Sequence, residues 1–187
     1  MPTPWLKRVK DKKELKVFNK AGSWGSTLGT AMKTFNDLGL GVRMRAETNE
    51  KAANVVVILA NGPSSYTFDD SFYGTTKITT TAGFKSELPH GNTKPLVDPD
   101  RNAIVFAPIF LPGKFKASDR QKEVIIVHEF FHACGIEQDE HDDNGVMVAQ
   151  MMPSGDGLLE ALPDKDSKAM PPIRVGKKTR NNIKQVW

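Results

Sequence analysis

The stretch that most limits what this chain can fold into is Val55–Ala60, six consecutive apolar residues, most of them β-branched. A run of that length and composition is a strand covered on both faces. It falls far short of the roughly 20 apolar residues that span a bilayer. No longer apolar run occurs, so an integral membrane protein is excluded by sequence. The chain must therefore build a layered structure around an internal sheet.

Neighbouring segments supply the other layers. Leu15–Phe18 has the character of a short strand, and Val42–Ala46 alternates apolar and charged residues as a half-buried strand does. Between them, Trp24, Leu28, Met32, Phe35 and Leu38 recur at helical spacing, with Ser23 as the expected N-cap and Gly39 and Gly41 as the stop. After a turn at Asn61–Ser65, Lys77–Thr81 and Ala103–Ala107 are two further strands, the second ended by Pro108 and Pro112. Ser118-Asp119-Arg120-Gln121 has the form of a capping box and opens a second long helix expected to run to Gly135. From Glu137 to about Val175 the chain is rich in Gly, Pro, Asp and Met and reads as ordered loop, and Thr179–Trp187 reads as a short closing helix. The expected class is α+β, a twisted mixed sheet with two long helices and a short C-terminal helix.

With 187 residues, 39% of them hydrophobic and 26% charged, the chain is long enough for one core. Residues 1–13 are expected to be a basic tail and 14–187 a single catalytic domain. Net charge is +4, concentrated in the first 20 residues and in residues 174–187. No aromatic residues interleave with those charges in a stacking pattern, so they read as solvated ends and not as a nucleic-acid surface. The start of the sequence has no apolar stretch of signal-peptide length, and Cys134 is the only cysteine, so cytoplasmic residence is expected.

The chemistry lies in the second long helix. His128-Glu129-Phe130-Phe131-His132 puts two imidazoles at i and i+4, one above the other, where both can face one metal ion. Glu129 stands beside the first ligand, where it can reach a metal-bound water without ligating the metal. Zn²⁺ lowers the pKa of its water toward neutrality, and a carboxylate can then remove the proton. Gly135, three residues past His132, can end the helix with a positive φ. Downstream, Asp143–Met147 supplies a turn ending in methionine.

In these residues the chain resembles the metzincin metalloproteases, whose motif His-Glu-x-x-His-x-x-Gly-x-x-His is followed by a methionine turn under the zinc. His128, Glu129, His132, Gly135 and Met147 match residue by residue. Gly145-Val146-Met147 and Met151-Met152-Pro153 are most similar to the matrix-metalloprotease branch. The resemblance implies a zincin-like catalytic domain, a single zinc cofactor and cleavage of protein or peptide substrates by a monomer. It also implies that Ala103–Ala107 borders the cleft and that residues 148–157 shape the specificity pocket. The absence of a cysteine-bearing prosegment points toward a bacterial or phage-encoded enzyme.

One position departs from the family. Where the third histidine belongs the chain has Gln138, and His141 lies three residues further on. His141 and Asp139 are both candidates for the displaced third ligand. A neutral imidazole keeps the site charge that acidifies water, which favours His141. Of the remaining groups, Cys134 falls on another helix face and reads as buried, while His90 reads as an exposed loop residue. The expected function is a zinc endopeptidase with His128, His132 and His141 as ligands and Glu129 as base. A catalytically silent zinc-stabilised binding protein, or a nucleic-acid-associated protein using the basic termini, are the alternatives.

Overall fold

The computed structural model describes residues 1–81, 91–114, 118–137, 173 and 175–187. Among these, six strands form a mixed sheet in the order β2-β1-β3-β8-β6, with β7 also on β8. Strands β1 (Glu14–Lys20), β2 (Arg43–Glu47), β3 (Val55–Ala60) and β8 (Ala103–Pro112) run parallel. Strands β6 (Asn92–Thr93) and β7 (Leu96–Asp98) pair antiparallel to β8. Two parallel neighbours need a crossover, and α2 (Gly25–Asp37) provides it between β1 and β2.

Burial explains the order. Val55, Val56 and Val57 of β3 are fully inaccessible, as is much of β8, so these two strands lie at the centre of the sheet. On one face, Leu15, Val17, Val55, Val57, Ala107, Ile109 and Leu111 meet α2 and α3 (Asp119–Ala133). Phe35 of α2 packs edge-on to Phe130 and tilted against Phe131 of α3, with centroids 5.7 and 5.5 Å apart. The opposite face is covered by a ribbon of β4 (Ser64–Asp70) and β5 (Gly74–Thr80), which stacks Tyr66 and Phe68 on Phe106. Strand β2, at the edge, exposes Arg43 and Arg45 and buries Met44; charge on an edge discourages pairing with other chains. The α+β class with a mixed sheet and several helices is what the sequence led one to expect.

Details differ from expectation in instructive ways. Ser23 does not cap α2: it lies within a 3-10 turn, Gly22–Trp24, and the helix begins at Gly25 with no side-chain cap. Strand β4 was not anticipated, because its start overlaps the Ser-rich turn, although Tyr66 and Phe68 alternate with polar residues as a half-buried strand requires. Helix α3 begins with the expected capping box: Ser118 Oγ accepts from the Gln121 N–H, and Gln121 Oε1 accepts from the Ser118 N–H. The closing helix, α4, covers Lys177–Val186 and buries Thr179, Ile183 and Val186.

Residues 1–13 are not a tail. The Pro4 carbonyl accepts from the Ile104 N–H at 2.8 Å, and the Leu6 N–H donates to the Ile104 carbonyl at 3.1 Å. Trp5 is 1% exposed, and Leu6, the N-cap of the short helix α1 (Lys7–Lys10), and Val9 within it are buried. Apolar side chains between the charges dock the segment and leave the lysines in solvent. Among the described residues Ala103–Ala107 has no open edge for a peptide strand: β7 pairs along one side, and the Pro4–Leu6 segment and Asn54 take the other. No helix among the described residues is long and apolar enough to cross a membrane.

Candidate metal centre

Helix α3 is apolar on nearly every side, with Val124, Ile125, Ile126, Val127, Phe130, Phe131 and Ala133 all buried. Such a helix sits inside the fold and not on its surface. Beyond its first turn, His128 and His132 are its half-buried residues, one turn apart.

Their rings meet at 75° with centroids 4.8 Å apart, and the two Nε2 atoms approach to 3.0 Å. Two nitrogens on one tetrahedral zinc, each at 2.0–2.1 Å, lie about 3.3 Å apart, so a small change in side-chain torsion fits an ion between them. His132 Nδ1 lies 2.7 Å from the Ile136 carbonyl, which can only accept. In the neutral ring Nδ1 therefore carries the hydrogen, and Nε2 turns its lone pair toward His128. A backbone carbonyl orienting the far nitrogen is the usual support of a metal-binding imidazole. In the neutral pair, His128 donates its Nε2 hydrogen to His132, a hydrogen that a metal ion would displace.

The backbone under this pair is fixed by unusual partners. Gly135 has φ +98°, and an added Cβ there would lie 1.9 Å from the Thr3 carbonyl oxygen. Thr3 in turn donates its N–H to the Gly135 carbonyl at 2.9 Å. The Trp5 indole donates to the Ala133 carbonyl at 2.7 Å, and the Trp187 indole to that of Cys134 at 3.1 Å. Cys134 is fully buried, and burial pushes its thiol far above the usual range.

The Glu129 carboxylate has a partner of its own. The side chain is buried against the edge strand β6, where the Thr93 hydroxyl donates to Oε2 at 2.6 Å. Gly91, just before that strand, comes so close that a Cβ would lie 2.4 Å from Glu129 Cγ. Neither Gly91 nor Thr93 was singled out from sequence. Only the glycine carried a signal, as a residue that permits close backbone approach.

The structure thus brings the His128 and His132 rings together and carries Glu129 on the same stretch of helix, with its carboxylate held by Thr93. His141, Asp139, Gln138, Met147 and His90 lie outside the described residues. Among the described residues no group of three or more His, Cys, Asp or Glu side chains is assembled. Compared with protein-family models and with curated protein sequences, the chain matches none.

Proposed function

We propose that this chain is a zinc-dependent endopeptidase of metzincin-like architecture, acting as a monomer in a cytoplasm. The reading is carried by one observation: two imidazole nitrogens converge to 3.0 Å, and one ring is fixed in the metal-binding tautomer by a backbone carbonyl. His128 and His132 would hold the ion, with His141, or else Asp139, completing the set. Those residues would hold a zinc ion, which would supply Lewis acidity to a water and to a substrate carbonyl. Glu129, next in sequence to His128, would take the proton from a water and hand it to the departing amine. The order of elements supports the architecture: a parallel sheet with an antiparallel edge, a first long helix, the histidine helix and a short C-terminal helix. The single cysteine, buried and unpaired, agrees with a reducing compartment.

Metal content and cleavage of an unfolded protein, measured together on wild type and on Glu129→Gln, His141→Ala and Asp139→Ala, test the proposal. Wild type is expected to hold about one zinc and to cleave, and Glu129→Gln to keep the zinc but lose cleavage. Loss of zinc in His141→Ala, but not in Asp139→Ala, assigns the third ligand, and the opposite result assigns the carboxylate. A folded wild type that takes up no zinc when supplied with it overturns the reading.

A further inference from the structure

We infer that the edge strand β6 is a seat for the Glu129 carboxylate, with Thr93 as its positioning residue and Gly91 as the gap that admits it. The catalytic consequence rests on the proteolytic reading above; the seat itself does not.

Glu129 is 3% exposed, yet the hydroxyl that holds it comes from another element. Thr93 Oγ1 is 2.6 Å from Glu129 Oε2 and 3.2 Å from the Glu129 carbonyl oxygen, so the shorter contact takes its one hydrogen. The strand bearing Thr93 is itself pinned. Asn92 and Thr93 pair with Phe110 and Ile109, Lys94 donates its N–H to the Pro108 carbonyl at 3.0 Å, and the Thr80 hydroxyl donates to Asn92 Oδ1 at 2.7 Å. Thr93 is also β-branched and stiff about χ1, so its hydroxyl is held in place before any substrate arrives.

Gly91 closes the seat from the other side. A Cβ there would lie 2.4 Å from Cγ, 2.6 Å from Cδ and 2.8 Å from Oε1 of Glu129. Every one of those atoms belongs to a flexible side chain and none to backbone. An alanine at 91 must therefore displace the Glu129 side chain and, with it, the carboxylate. A general base must lie within hydrogen-bond reach of the proton it takes, and a misplacement of about 1 Å costs on the order of 100-fold in rate.

Two measurements test the seat. On the zinc-loaded protein, Thr93→Val is expected to lower kcat about 10- to 100-fold with KM within about twofold and zinc content unchanged. Thr93→Ser, which keeps the hydroxyl, is expected to restore most of that rate, and Gly91→Ala to lower kcat like Thr93→Val. On the metal-free protein, a double-mutant cycle of Thr93→Val and Glu129→Met by urea unfolding is expected to give a coupling of about tenfold in the unfolding constant, as for a hydrogen bond to a charged group. A Thr93→Val variant with full kcat, a Thr93→Ser variant as slow as Thr93→Val, or a coupling below about twofold overturns the seat. If wild type binds zinc without cleaving while the metal-free coupling stands, the seat is supported and the proteolytic reading fails.

Discussion

Replacing Gly135 by alanine is expected to destabilise the protein by about 4 kcal/mol, and three contributions make up that figure. A left-handed backbone costs a non-glycine residue about 1–2 kcal/mol, and φ here is +98°. The new Cβ would lie 1.9 Å from the Thr3 carbonyl oxygen, a backbone atom that cannot swing aside without moving its segment. Moving it breaks the Thr3 N–H bond to the Gly135 carbonyl, worth about 1 kcal/mol. It also strains the neighbouring Trp5 indole bond to Ala133, worth at least about 1 kcal/mol because it would leave a buried carbonyl unpaired. Gly39 is the internal control: its φ is +62°, and an added Cβ meets nothing within 4 Å. Gly39→Ala should therefore cost only the backbone strain, about 1 kcal/mol. Thermal and urea unfolding of the two variants, at about 2–4 °C in Tm per kcal/mol, should separate them by roughly 6–12 °C. Equal losses in the two would refute the docking of the N-terminal segment beneath the histidine helix.

Phe35→Ala, which removes the ring between Phe130 and Phe131, is expected to cost about 3–5 kcal/mol by denaturant unfolding. Added zinc should raise the Tm of wild type in proportion to the logarithm of its concentration above Kd, and should leave that of His128→Ala unmoved. Cys134 should resist a thiol reagent in the native protein and react at full rate in denaturant. Burial raises the Asp98 carboxyl, but the Arg101 guanidinium, two backbone N–H groups and the Tyr73 hydroxyl outweigh it and hold it below the usual range. That stabilisation is present above the unfolded value near pH 4 and is lost as pH falls through the folded one, so Asp98→Asn should show a shallower acid limb in a stability-versus-pH profile.

What could be read from the sequence was what depends on local pattern. The capping box at Ser118, the apolar run at Val55 and the histidine pair at i and i+4 each state their own geometry. Contacts between distant segments left no such mark. Nothing in Pro2-Thr3-Pro4-Trp5 announces that its carbonyls and indole will meet Ile104 and Ala133, because surrounding lysines make the segment look solvated. Thr93 was equally silent: a threonine near a short edge strand is ordinary until α3 packs Glu129 against it. Strand β4 was hidden by turn-forming serines at its start, and tertiary burial of Tyr66 and Phe68 overrode that local signal.

The end of α3 shows how these long-range contacts bear on the candidate metal centre. A helix leaves its last carbonyls without intrahelical donors, and a buried end must find partners for them elsewhere. Here four consecutive carbonyls, of Ala133, Cys134, Gly135 and Ile136, accept in turn from the Trp5 indole, the Trp187 indole, the Thr3 N–H and His132 Nδ1. Three of those donors come from the two ends of the described chain and one from the histidine itself. The ring of His132 is thus oriented by a carbonyl just beyond a backbone that both ends hold in place, and its Nε2 faces His128 as a result. The N-terminal segment and the closing helix therefore act on the site through the backbone beneath it. Loosening either end should lower affinity for the ion before it unfolds the sheet.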